Sequence, residues 1–580
     1  MGVMSRRVVP VCGSLCFFCP SLRARSRQPV KRYKKLLAEI FPRHQEAELN
    51  ERKIGKLCEY ASKNPLRIPM ITDSLEQRFY KDLRQEHFQN VNIVVCIYKK
   101  LLSSCEEQMP LFSSSLLAIV QALLDQTRSD DMSILACQTL INFANSQVDT
   151  TCMVGLESLI SSLCRLGHHM KDGERALSIR SAAMEALASM VHLMGRHAYI
   201  SMNFESIVSV TLENYLEICD ENLSEHHAKS PPYWASVCLR NMAALAKEAT
   251  TIRRVVDPML QCFDLNSHWV HVAYPVLSSL QSLLEKPGDY CHTLLCVVAK
   301  HLDHKNVVRK PQVQLDIVAV ITKLAQNARQ QASVAIINTI FELMIHLRKR
   351  LQHSYESSGA LGENQNTDFQ LAVENCILEL SNKVGDVGPI LDMIAVFLEN
   401  ISASPSIARS TIFSAYRIVQ IITPVPNVSY YKKAFPDALL HQLLVAMAHS
   451  DQKTRLGAHF VLSTLLMPSL RTYLSEDLKS LPSEDIKSET VENQINQNKA
   501  NSFVLAVSRG KPLSTLRLSS HQVSLLLSSI WAQATLAANT PENLAAMAQT
   551  YNLALMFTTL KVSLHKHNLP MSLLDAHRKT

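Results

Sequence analysis

Residues 179–194 read Ile-Arg-Ser-Ala-Ala-Met-Glu-Ala-Leu-Ala-Ser-Met-Val-His-Leu-Met. Ile179, Ala182, Ala183, Ala186, Leu187, Met190, Val191 and Met194 fall at i, i+3, i+4, i+7, i+8, i+11, i+12 and i+15. A 3.6-residue period puts all eight on one face, and the spacing predicts an α-helix with Arg180, Glu185 and Ser189 on its opposite side. Further stripes follow it along the chain. Trp234, Val237, Cys238, Met242 and Leu245 form one, and Val313, Ile317, Val320, Ile321 and Leu324 another. Val373, Cys376, Ile377 and Leu380 come next, then Ile412, Ala415, Tyr416 and Val419, then Ala458, Val461, Leu462 and Leu465. Equivalent points at Ile141, Leu187, Met242, Leu280, Leu324, Leu380, Val419 and Leu465 are separated by 46, 55, 38, 44, 56, 39 and 46 residues. Armadillo and HEAT repeats run about 40–47 residues. The two longest intervals contain polar insertions, Glu221–Pro232 and His353–Asp368, which a repeat array tolerates because each repeat touches only its neighbours. The expected fold class is all-α, an armadillo/HEAT-like helical-repeat solenoid (ARM-type fold), right-handed, from about Ile40 to Tyr473. Val91–Tyr98 resembles a buried strand in composition. Its apolar positions Val91, Val94, Val95, Tyr98, Leu101 and Leu102 keep helical spacing, so helix is expected there too.

Composition agrees with helices joined by short turns. The chain has 580 residues and only 14 glycines, with 47% hydrophobic content. No G-x-G-x-x-G, G-x-x-x-x-G-K-[ST], H-E-x-x-H or G-x-S-x-G occurs, which removes the common phosphate-cradling, zinc-protease and serine-hydrolase signatures. No catalytic residue and no cofactor is expected. His168-His169 and His226-His227 read as solvated loop pairs rather than metal ligands or bases. The longest nearly apolar run, Val8–Pro20, is too short for a membrane span, which takes roughly 20 residues. Twelve of the 15 cysteines lie beyond residue 50, mostly within apolar helical patterns, as expected of buried free thiols.

Charge divides the chain. Residues 1–45 contain ten Lys or Arg and a single acid, Glu39, while the other 535 residues balance 49 bases against 50 acids. The whole net charge of +8 therefore arises at the N-terminus. A balanced body argues against a nucleic-acid-binding surface. Composition further sets apart Leu474–Ser502, 29 residues without an aromatic, as a polar linker expected to be disordered. Helices resume near His521–Ala538. Thr540-Pro541-Glu542 then supplies an N-cap, an N1 proline and a first-turn acid for a last helix, Asn543–Leu560. The expected organisation is an anchoring segment (1–45), a solenoid (46–473), a linker (474–515), further helices (516–563) and a polar tail (564–580).

The N-terminal segment holds Cys12, Cys16 and Cys19 in a C-x3-C-x2-C pattern. That spacing can ligate an iron–sulfur cluster, but the barrel and glycine-rich contacts of such enzymes are missing from the sequence. Structural zinc needs a fourth ligand, and the nearest candidate, His44, is 25 residues away. Pro10 and the basic stretch that follows speak against a secretory signal. A cleaved organellar transit peptide is the stronger rival, because the first 38 residues contain no acid and several Arg and Ser. In that case the body would be an organellar helical-repeat binding protein. S-acylation fits the pattern best. The three thiols sit among Val11, Leu15, Phe17 and Phe18, and Arg23, Arg25, Arg27, Lys31, Arg32, Lys34 and Lys35 follow. An acyl chain contributes about 0.8 kcal/mol per buried methylene and durable anchoring takes two signals. Each base near an anionic leaflet adds about 1 kcal/mol before screening. Gly2 suggests myristoylation, but Arg6 stands where Ser or Thr is preferred.

Cys12-Gly-Ser-Leu-Cys-Phe-Phe-Cys-Pro20 and Lys31-Arg-Tyr-Lys-Lys-Leu-Leu-Ala-Glu-Ile-Phe-Pro42 together resemble the opening of the Efr (Eighty-five Requiring) family, especially its plant branch, called Semi-Rolled Leaf. Lys53-Ile-Gly-Lys-Leu-Cys-Glu-Tyr-Ala61 and Ile97-Tyr-Lys-Lys-Leu-Leu102 are similar to the same branch, and the resemblance covers about residues 1–563. It implies a peripheral protein on the cytoplasmic face of the plasma membrane, with a cytosolic fraction when not acylated. It implies acylation at Cys12, Cys16 and Cys19, and contact of Arg23–Lys35 with anionic plasma-membrane lipids. The partner it implies is a phosphatidylinositol 4-kinase complex, reached through a tetratricopeptide scaffold subunit and a hyccin-type subunit. Family chains run on with further helices, whereas here Thr559-Leu-Lys-Val-Ser563 gives way to the polar Leu564–Thr580. That departure implies a truncated or alternatively spliced product, and it bears on kinase recruitment, which in the family draws on the C-terminal part.

Overall fold

The structure, a computed structural model, describes residues 31–41, 49–126, 128–146, 153–168, 173–220, 230–246, 249–266, 268–284, 290–331, 333–356, 363–399, 401–423, 435–479, 516–536 and 538–567. Among these residues there is no β-strand. The chain divides into two compact units, residues 1–245 and 246–580.

The first unit contains α1 (Arg32–Ile40), α2 (Glu51–Lys63), α3 (Ile68–Arg84), α4 (Phe88–Ser104), α5 (Ser113–Leu124), α6 (Asp130–Asn145), α7 (Met153–Gly167), α8 (Glu174–Arg196), α9 (Phe204–Asp220) and α10 (Pro231–Leu245), with short 3-10 turns at Pro65–Arg67 and Glu106–Leu111. From α2 onward, each helix packs on a sequence neighbour and on the helix two places away, while α1 packs on α2. Even-numbered helices therefore stack α2–α4–α6–α8–α10, and odd-numbered ones stack α3–α5–α7–α9 beside them. This is a two-layer array of helix pairs, as the stripes predict. Val91–Tyr98 lies in α4, helical and almost entirely buried.

Helix α8 departs from its reading in one respect. Arg180, expected on the polar face, is buried at 6% exposure, and Met184, Ala188 and Leu193 are buried as well. The stripe is wider than one face because α6 and α10 flank the helix on both sides while α7 covers a third. Ala182, Ala183, Ala186 and Ala188 keep its girth small enough for three neighbours to approach.

The second unit contains α11 (Ala249–Asn266), α12 (Ala273–Leu284), α13 (Tyr290–Lys300), α14 (Pro311–Asn327), α15 (Val334–Glu356), α16 (Glu363–Val384), α17 (Gly388–Leu398), α18 (Pro405–Ile422), α19 (Asp437–Met447), α20 (Gln452–Lys479), α21 (Ser520–Ala534) and α22 (Pro541–His567), with a 3-10 turn at His301–Asp303. The same alternation holds, α12–α14–α16–α18–α20–α22 against α11–α13–α15–α17–α19–α21. The expected polar insertion at His353–Asp368 is helical at both ends, belonging to α15 and α16. Gly385, at φ +67, ends α16 in a left-handed conformation that a side chain would strain. Thr540 caps α22 as its sequence predicts, its Oγ1 accepting from the Asn543 backbone N–H at 3.3 Å, with Pro541 in first position. Helix α20 extends to Lys479, past the expected start of the linker; residues 480–515 lie outside the described set.

Polar links recur one repeat apart and tie the stack together. In the first unit, Asn214 donates to the Gly167 carbonyl at 3.0 Å and Asn241 to that of Ala188 at 2.8 Å, spanning 47 and 53 residues. In the second, Gln281 donates to the Leu324 carbonyl at 3.1 Å across 43 residues. Arg417 donates in two-pronged fashion to Glu374 at 2.9 and 2.7 Å across another 43. These separations match the repeat length found in the apolar pattern.

Candidate functional site

Helix α1 is the described part of the basic segment. Tyr33 and Ile40, seven residues apart, fall on one side of it and are buried against α2 at 4% and 3% exposure. Phe41 continues that anchor under the Arg78 guanidinium, 4.7 Å from the ring centre. Burying each of these side chains contributes about 2 kcal/mol, so a nine-residue helix too short to persist alone is held in place by packing. The helical period then turns Lys34 and Lys35 away from the packed side, and both are exposed, as is Lys31 at the N-cap. Arg32 is exposed on the flank and rests over the Tyr60 ring at 5.6 Å. Among the described residues no ion pair engages Lys31, Lys34 or Lys35.

Helix α2 adds cations that the sequence reading left out. Arg52, Lys53 and Lys56 are exposed, and Lys53 Nζ donates to the Glu39 carbonyl at 3.0 Å, fastening α2 to the end of α1. Asn50 caps α2 by accepting from the Lys53 backbone N–H at 3.1 Å. Residues 46–63 set Arg52, Lys53, Lys56 and Lys63 against Glu46, Glu48, Glu51 and Glu59, so no charge excess marks these bases in the sequence. Cys12, Cys16 and Cys19, with Arg23, Arg25 and Arg27, lie outside the described residues.

The remaining titratable groups divide between tight packing and surface. Among the described residues, Cys58, Cys105, Cys137, Cys164, Cys238, Cys296 and Cys376 are buried free thiols, Cys262 is buried and Cys96 is half-buried. Burial pushes the thiols of Cys137, Cys238 and Cys376 up to about 12, which removes them as nucleophiles at neutral pH. His168 meets Glu213 at 2.5 Å; His169, His226 and His227 are outside the described set. No described helix is long and apolar enough to cross a membrane. Among the described residues, one group of side chains has metal-ligand chemistry, Asp264 with His301 and His304. His301-x-x-His304 was a visible pair in the sequence, but its third member comes from a different helix 37 residues earlier.

A family model described as "EFR3, armadillo repeat" matches residues 54–574. Protein SEMI-ROLLED LEAF 2 of Oryza sativa subsp. japonica is 35% identical over an alignment covering 99% of this chain and 68% of the rice protein. Protein EFR3 homolog cmp44E of Drosophila melanogaster is 24% identical, with 78% of this chain and 55% of the fly protein covered. Protein EFR3 homolog B of Homo sapiens is likewise 24% identical, over 62% of this chain and 46% of its own length. The chain thus spans two thirds of the rice relative and about half of the animal ones. The match of both the repeat region and the full length to one group shows that the chain belongs to the EFR3 family of armadillo-repeat proteins.

Proposed function

We propose that this chain is a non-catalytic peripheral scaffold on the cytoplasmic face of the plasma membrane. Membership in the EFR3 family supports a scaffold-type role. The attachment is two-part: acyl chains on Cys12, Cys16 and Cys19, and attraction of Arg23, Arg25, Arg27, Lys31, Arg32, Lys34 and Lys35 to anionic lipid. The helical repeats then present a surface to a phosphatidylinositol 4-kinase complex through its tetratricopeptide and hyccin-type subunits. The observation that carries the membrane reading is α1, where packing of Tyr33 and Ile40 leaves Lys31, Lys34 and Lys35 exposed together next to the cysteine-bearing segment.

Membrane fractionation of cysteine variants tests it. Single Cys→Ser changes at Cys12, Cys16 or Cys19 weaken retention in part, because two remaining chains still slow escape. The triple change leaves mostly cytosolic protein held by the bases alone. A triple variant that stays fully on the plasma membrane, or a wild type without hydroxylamine-sensitive acyl label, contradicts the proposal. Kinase recruitment is read separately, by co-purification of the tetratricopeptide subunit with acylated wild-type protein; its failure leaves the anchor reading intact and removes the partner reading.

A further inference from the structure

The turn after α13 brings two histidines onto one carboxylate. His301 Nε2 lies 3.0 Å from Asp264 Oδ2, and His304 Nδ1 lies 3.5 Å from the same oxygen. The two imidazoles stack nearly parallel, 4.8 Å between centres and 13° between planes, so both nitrogens face the carboxylate from one side. Asp264 is fixed from behind, since Trp269 Nε1 donates to its other oxygen, Oδ1, at 3.0 Å. All three ligand atoms fall within 4.8 Å of one another. Asp264 and His301 are buried, while His304 retains partial exposure beside a cleft of about 280 Å³. Arg253, Asp257 and Gln261 of α11 and Lys300 of α13 line that cleft with the two histidines.

These features are those of a preformed cation site. Zinc bonds of about 2.0–2.1 Å in a tetrahedron separate ligand atoms by about 3.3 Å. The two distances to Asp264 bracket that value. Trp269 does what outer-shell donors do for a metal carboxylate: it occupies one oxygen and aims the other. The Asn306 backbone N–H donates to His304 Nδ1 at 3.4 Å, which marks Nδ1 as the unprotonated nitrogen. A cation ligated by Nδ1 and Asp264 Oδ2 takes the place of this long hydrogen bond. Charge in the cleft permits it, because Lys300 is drawn to Glu342 at 3.4 Å and Asp257 faces both imidazoles. Two imidazoles with one carboxylate suit zinc, whereas magnesium and calcium prefer oxygen throughout.

We propose that Asp264, His301 and His304 form a zinc site whose open fourth position faces the cleft, and that the ion ties the His301–Asp303 turn to the end of α11. His304, the half-buried member, completes the set beside Asp264 and His301, which are buried. The site is independent of the N-terminal thiols and of the membrane proposal.

Titration of the full chain with Zn²⁺ and Co²⁺ tests this, with Cys12, Cys16 and Cys19 changed to Ser so that their thiols do not compete. One ion binds per chain, and bound Co²⁺ shows tetrahedral visible bands without thiolate charge transfer. His304→Ala keeps the helical circular dichroism spectrum and weakens binding by about 100-fold or more. His304→Cys retains Co²⁺ and gains the thiolate charge-transfer band, which identifies position 304 as a ligand even where the alanine variant is unstable. Absence of saturable binding to the starting protein overturns the proposal. So does equal binding by His304→Ala, or a His304→Cys spectrum without thiolate absorption.

Discussion

Asp451 shows how much one side chain does in joining repeats. It accepts from Arg409 Nε of α18 at 3.0 Å on each oxygen, and from the Thr454 backbone N–H at 2.9 Å and hydroxyl at 2.8 Å at the start of α20. Burial alone raises its carboxyl, but the hydrogen bonds from Arg409 and Thr454 outweigh burial and bring it down to about 2. A depressed carboxyl contributes stability above its ordinary value of 3.8 and loses it as pH falls toward 2. Asp451→Asn is therefore expected to destabilise the fold by about 2 kcal/mol at neutral pH. In urea melts taken at successive pH values, the gap from wild type closes below about pH 4; a gap independent of pH contradicts this. His459 behaves oppositely in charge. Its Nδ1 meets Thr550 Oγ1 and its Nε2 meets Gln533 Oε1, each at 2.9 Å, so it joins α20 to α21 and α22. Burial first, and Arg455 after it, push its imidazole below the usual 6.5. Its contribution is full above that value and falls away as pH drops beneath it. Protection of α21 and α22 against hydrogen exchange, taken relative to the intrinsic rate at each pH, should fall as pH drops below about 6.5, and His459→Gln should flatten the dependence. Unchanged pH dependence in that variant would place the effect elsewhere.

Helices and their contacts explain what could be read in advance. The stripes at Val313–Leu324, Val373–Leu380 and Ala458–Leu465 lie in α14, α16 and α20, with every named position but Val313 buried. The Thr540 cap is equally legible, since its hydrogen bond spans three residues of sequence. What escaped the sequence depends on neighbours far along the chain. Arg180 is charged and therefore reads as surface, yet α6 and α10 enclose its helix. The Asp264–His301–His304 group forms only when α11 and the turn after α13 meet. Close approach of helices is likewise invisible beforehand: a Cβ on Gly457 of α20 would sit 2.8 Å from Ile412 Cγ2 on α18. Ile412 is fully buried and stiff at its branch, so it cannot yield. Gly457→Ala gains helix propensity but overpacks this contact, and a net loss of about 1 kcal/mol is expected. A raised melting temperature in that variant contradicts the packing argument. For α1, Lys31, Lys34 and Lys35→Gln is expected to lower binding of unacylated protein to anionic vesicles, with less effect as salt rises. Equal binding of wild type to neutral and anionic vesicles refutes the electrostatic part.

For the molecule as a whole, the period near 46 residues and the alternating helix contacts express the same repeat, and the family match extends it over residues 54–574. The body carries nearly balanced charge, so the positive excess has one location, residues 1–45. That asymmetry is why the proposed anchor is placed in the first 45 residues. An acylated anchor and a cleaved transit peptide both explain basic, acid-poor sequence, and they differ in what remains on the mature chain. Intact-mass analysis of the N-terminus from native tissue separates them most directly. The account predicts a peptide that retains Cys12, Cys16 and Cys19 and carries added acyl mass removable by hydroxylamine. A mature chain beginning beyond Cys19, or one with three unmodified thiols, would contradict it.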